Sequence, residues 1–276
     1  MDADHGRTLA TRLENHFTRS LGFRQEVEEG FARGRGWSVP ELCVPGTEYP
    51  HISVLLTLSD MVTGMQANLS TAPRVALTVD LRTRLLHAPA TGPYTVEGRV
   101  LRTGSTLTVA EATLTAAGDD TPFAKTLGSF IASPRPDDVV PGMVDPSRQL
   151  ESPWPDRPTI AVPFTEMVGL RVLEPGVTEV ALRPDLSNAT DTFQGGIVSF
   201  LGETAAQTLA SDASGATFVV DDIDVRYLRA TRVGPARATA TLYELDDELA
   251  AATVEIRDTG MDNRLTAYVT AECRRL

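Results

Sequence analysis

The chain has 276 residues, 42% of them apolar, enough for one large domain or two of ordinary size with a real core. A formal net charge of −12, with no basic stretch to offset it locally, argues against a nucleic-acid partner. No apolar run approaches bilayer length, no secretory leader pattern opens the chain, and Cys43, Cys273 and the four histidines are too scattered for a metal site. The expectation is therefore a reduced, cytoplasmic protein without membrane association or metal.

In chain order, the first element is a short amphipathic helix, because Leu9, Leu13 and Phe17 recur at helical spacing. A longer helix follows from about residue 53 to 68. Four strand-like runs come next, "RVALTVDLRTRLL", "YTVEGRVLR", "LTVAEATLTAA" and "FAKTLGSFIAS", joined by turn residues as in an antiparallel meander. Residues 133–163 hold eight of the eighteen prolines, which reads as an extended connector. A second long helix spans about 196 to 210, again followed by strands. One long helix per sheet, with strands on both sides of it in sequence, is an α+β layout.

The second half repeats the first. "DLRTRLLHAPATGP" from Asp80 and "DIDVRYLRATRVGP" from Asp222 share Asp80/Asp222, Arg84/Arg226, Leu86/Leu228, Ala88/Ala230, Gly92/Gly234 and Pro93/Pro235. The same spacing pairs Gly118 with Gly260. With one residue of slippage, the two helices align, and Asp60 meets Glu203. We read this as a duplication, with an N-terminal unit at 1–132, a proline-rich linker at 133–158 and a C-terminal unit at 159–276.

Each helix carries a single charge. Asp60 is the one Asp, Glu, Lys or Arg from His51 to Ala72, and Glu203 the one from Thr192 to Ala210. A solvated helix face usually carries several charges of both signs. A lone acid opposite the apolar stripe therefore points to burial against a partner surface, such as the other helix. Ahead of Glu203, two glycines open the second helix, where a bare backbone allows close approach to free N–H groups at the positive end of the helix dipole.

Asn188, Gln194, Gly195, Gly196 and Glu203 together resemble the signature of hotdog-fold acyl-CoA thioesterases of the phenylacetyl-CoA and 4-hydroxybenzoyl-CoA type. There an Asn or Gln stands six residues before His-Gly-Gly, and an acid nine residues after the His. The resemblance covers both halves and implies a tandem double hotdog, each long helix wrapped by an antiparallel sheet. Neither copy is complete. The first keeps His51 and Asp60 but has Ile52, Ser53 and Pro45 where the family has Gly, Gly and Asn. The second keeps Asn188, Gly195, Gly196 and Glu203 but has Gln194 for the His. A family Ser or Thr, eighteen residues after the acid, is matched by Thr78; in the second copy Asp221 falls there by count, or Val220 after the slip.

Because family sites lie between two hotdogs, the resemblance implies one composite catalytic set: Asp60 and Thr78 from the first copy with Asn188, Gln194 and Gly195 from the second. Glu203 and His51 are left to a secondary or degenerate site. In that chemistry Gly195 N–H holds the thioester oxygen as negative charge develops, and Asp60 activates water or attacks directly. Gly196 and the arginines Arg82, Arg84, Arg226, Arg229 and Arg232 are candidates for binding substrate, the arginines through the phosphates of coenzyme A. No other cofactor is implied. The implied function is acyl-CoA hydrolysis, and the implied assembly a homo-oligomer. The alternatives are a non-catalytic acyl-thioester-binding or assembly protein and, less favoured, a hotdog hydratase or dehydratase, whose Asp/His loop signature is absent.

Overall fold

The computed structural model describes residues 16–28, 31–135, 150–151, 155–188 and 191–276. The expected helical positions Leu9 and Leu13, and most of the proline-rich stretch, lie outside these residues. Phe17 opens a four-residue helix, α1 (Phe17–Ser20). Strands β1 (Arg24–Glu28) and β2 (Phe31–Ser38) pair antiparallel, and a 3-10 turn at Pro40–Leu42 leads to the long helix α2 (Ile52–Thr71). Then come β3 (Ala76–Leu85), β4 (Gly92–Thr103), β5 (Thr108–Ala116) and β6 (Pro122–Ala132). Part of the expected connector joins the sheet, because β7 (Leu150–Glu151) pairs with β1.

The same order returns in the second half. Helix α3 (Phe164–Val168), β8 (Arg171–Glu174) and β9 (Val177–Val180) precede a 3-10 turn at Pro184–Leu186 and the long helix α4 (Gly195–Ser214). Strands β10 (Phe218–Tyr227), β11 (Ala236–Leu245), β12 (Leu249–Asp258) and β13 (Arg264–Arg275) complete it. The strand order across the sheet is β7-β1-β2-β4-β5-β6-β3-β10-β13-β12-β11-β9-β8. Leaving β7 aside, it reads the same from either end, and the halves join where β3 and β10 pair antiparallel.

Irregularities repeat as well. A bulge separates Thr78 from Asp80 in β3 and Val220 from Asp222 in β10, the paired residues lying 142 positions apart. A second bulge separates Val100 from Arg102 in β4 and Leu242 from Glu244 in β11, at the same spacing. A bulge changes which side chains face the core, so its recurrence in register carries more information than a shared turn.

Both long helices exceed the sequence expectation. Helix α2 runs on until Pro73, which cannot continue it and which disfavours helical backbone in the residue before. Helix α4 ends on Gly215, held in the left-handed region at φ 70°, the usual glycine C-cap. The helices pack against each other inside the sheet, so both the sheet-facing and the helix-facing sides are buried. That double burial explains why each tolerates so few charges. Among the described residues no helix is long and apolar enough to cross a membrane.

Candidate active site

The start of α4 is built by the residues just before it. Leu186 C=O accepts from Gln194 N–H at 3.0 Å, and Thr231 C=O accepts from Phe193 N–H at 3.2 Å. Asn188 closes the intervening turn. Its N–H donates to Thr192 C=O at 2.8 Å, and its side-chain oxygen accepts from Thr192 N–H at 3.3 Å. Gln194 is the N-cap: its side-chain oxygen accepts from Gly196 N–H at 2.5 Å. Capping thus consumes the second amide of the helix and leaves the first, Gly195 N–H, without a partner among the described residues.

The carboxylate comes from the other half. Asp60 lies in the middle of α2, and Thr78 Oγ1 donates to its Oδ1 at 3.0 Å. The bulge in β3 makes this bond possible. Leu81, Thr83 and Leu85 face the core, so simple alternation would turn Thr78 outward. One extra residue before Asp80 instead sets Thr78 opposite Phe130, whose side chain is buried. In β10 the matching bulge turns Val220 inward against Cys273. Val220 is therefore the counterpart of Thr78, and it has no hydroxyl to offer. Asp221, the other candidate by count, instead pairs with Arg274 at 2.7 Å.

A cavity of about 390 Å³ joins these groups. Its wall includes Asp60, Thr78, Asn188, Gln194, Gly195 and Tyr227, with Arg135, Arg229 and Arg232 also lining it. Burial raises the pKa of Asp60 to about 6, against a smaller lowering by the Thr78 hydrogen bond. The residue keeps part of its surface, so an acid of near-neutral pKa faces the cavity. Tyr227 is held protonated, its pKa pushed far up by burial and then by the nearby charge of Asp60.

The reciprocal end has closed. Glu203 is fully buried; its Oε1 lies 2.8 Å from His51 Nδ1 and accepts from Ile52 N–H at 3.2 Å, while Oε2 accepts from Ser53 N–H at 2.9 Å. Here the acid sits directly on the helix start that it faces. Phe200 meets the His51 ring edge-on at 4.8 Å, and Phe164 packs tilted against Phe200 at 4.6 Å. Side chains therefore fill the space around this carboxylate.

Four sequence candidates stand elsewhere. Gly196 is buried and absent from the cavity wall; a Cβ on it would run into Thr57 Oγ1, so it serves the helix crossing and not substrate contact. Arg84 and Arg226 sit at the seam of the sheet, Arg84 near Asp222 at 3.8 Å and Arg226 on Asp80 at 3.1 Å and Asp224 at 2.8 Å. They belong to an ion-pair network with Arg82, which grips Asp222 through two hydrogen bonds. Sequence reasoning missed Arg135, hidden in a segment read as connector, and Tyr227. The repeat held a signal for Tyr227, since Leu85 stands at the matching position.

Residues 50–123 match the family model of the thioesterase superfamily. That stretch contains His51, Asp60 and Thr78. The class of enzyme this family match supports is a thioester hydrolase. Among solved structures, the chain is similar to the tesB protein of Mycobacterium avium subspecies paratuberculosis, at 17% identity and TM-score 0.63 over 98% of each chain. It is also similar to a protein of unknown function with hot dog fold from Alicyclobacillus acidocaldarius, at 11% identity and TM-score 0.58 over 88% and 93% of the two chains. A third is the 12:0-ACP thioesterase of Umbellularia californica, at 10% identity and TM-score 0.58 over 90% and 98%. At these identities the likeness shows the hotdog fold. The search of curated proteins gave no match.

Proposed function

We propose that this protein is a tandem double hotdog that hydrolyses acyl-CoA thioesters at one composite site between its halves. The observation that carries the reading is the shared cavity, which joins Asp60 and Thr78 of one half to Asn188, Gln194 and Gly195 of the other. The palindromic strand order and the recurring bulges support the duplication. The thioester oxygen accepts from Gly195 N–H, where the helix dipole also favours developing negative charge. Asp60, held through one oxygen by Thr78, presents the other to the reacting carbon, either directly or through a water it deprotonates. Arg229 and Arg232 are exposed at the cavity, where they would meet the phosphates of coenzyme A.

Thiol release from a panel of short, long and aromatic acyl-CoAs tests this. Asp60→Asn keeps size and hydrogen bonding but removes the base, and should lower turnover about a hundredfold or more. Glu203→Gln should retain most activity in molecules that remain folded. An inactive Glu203→Gln beside an active Asp60→Asn would reverse the assignment of the half-sites. Binding without turnover across the panel would overturn the hydrolase reading.

A further inference from the structure

We propose that Tyr227 is the floor of the acyl compartment and sets the longest acyl group the site accepts. The proposal rests on the thioesterase reading above. The cavity has two kinds of wall. Arg135, Leu228, Arg229, Ala230 and Arg232 are exposed and mark its mouth. Phe193, Val198, Thr266 and Ala267 are buried and mark its interior. Tyr227 projects from the core-facing side of β10 into this interior, beside both Asp60 and Gly195.

The ring is pinned there. Its hydroxyl donates to Gly195 C=O at 3.1 Å and lies 3.0 Å from Ser199 Oγ, which itself donates to Gly195 C=O at 3.0 Å. The contact with the helix is tight: a Cβ on Gly195 would lie 3.0 Å from the phenol oxygen and 3.2 Å from Cζ. Gly195 is therefore bare partly to admit this ring. An acyl chain that entered past the reacting carbon would meet a fixed aromatic wall between α4 and β10. At about 390 Å³ the cavity lies at the small end of ligand sites, as a blocked channel would.

The test is a series of non-hydrolysable S-alkyl-CoA thioethers, from ethyl to hexadecyl, with affinity measured by calorimetry. For the unaltered protein, affinity should rise about fourfold per buried methylene and then break at a defined length. Tyr227→Leu, which installs the residue found at position 85, should move the break to longer chains, and Tyr227→Ala should move it further. Tyr227→Phe keeps the ring and should leave the break in place. A break that stays put in folded Tyr227→Leu and Tyr227→Ala, or that moves in Tyr227→Phe, overturns the proposal. Binding that shifts as expected without acyl-CoA turnover in the unaltered protein would leave the floor standing and remove the hydrolase reading. Failure of every thioether to bind would remove both.

Discussion

A single methylene separates the side chain of Asp60 from that of Glu203, and the two acids behave accordingly. Glu203 reaches the opposing helix start and is saturated by two amides and a histidine. Among the described residues Asp60 keeps only its bond from Thr78, and the space in front of it remains a cavity. Its raised pKa has two measurable consequences. On the proposed reading it acts as a base and must be ionised, so kcat/KM should climb through an apparent pKa of about 6 and level off above it. For stability, the folded state holds this proton more tightly than the unfolded chain. The group therefore lowers stability progressively as pH rises from its ordinary value of 3.8 through about 6. Asp60→Asn, which has no charge to desolvate, should melt higher than the unaltered protein at pH 8, by on the order of a few degrees, and the gap should close near pH 4. An unchanged gap across that range would mean that Asp60 is not desolvated. Glu203 belongs to the other case: removing its side chain in Glu203→Ala leaves His51 and two buried amides without their acceptor, a loss of roughly 3 kcal/mol. Urea denaturation reads this directly.

At the scale of elements, the two long helices divide their tasks. In α4 the first glycine faces the cavity and the second faces the crossing, where Thr57 stands against it. Gly196→Ala should therefore destabilise by roughly 1–3 kcal/mol through overpacking, and Thr57→Ala in the same chain should recover part of the loss. Gly196→Ala at full stability would place the helices further apart than described. The bulges act at this scale too. Without the extra residue between Thr78 and Asp80, the threonine would face the outside of the sheet and Asp60 would lose its hydrogen bond. The same device in β10 delivers Val220 to the core, so the reciprocal end has a histidine–glutamate contact and no threonine hydroxyl beside its acid.

For the whole molecule, two helix starts that each face an acid would allow two ligands per chain, but the proposed reading has one. His51, Phe200 and Phe164 occupy the end that Glu203 serves. Calorimetry with an S-alkyl-CoA should give one ligand bound per chain, and two would show that the closed end opens. The sequence alone determined much of this protein: two copies of one helix-and-strand unit, one acid per long helix, and glycines at the start of the second helix. These follow from patterns local in the chain, such as apolar periodicity and turn chemistry, and from repetition, which aligns the two halves without any contact being known. What it could not determine was which groups meet. That Asp60 shares a cavity with Gly195, that Glu203 accepts hydrogen bonds from the start of α2, and that Arg84 and Arg226 serve the sheet seam are facts of an antiparallel join between β3 and β10. The join brings together residues more than a hundred positions apart, and no local pattern encodes its register. Tyr227 stayed hidden for the same reason: its phenol finds Gly195 and Ser199 only when β10 lies under α4.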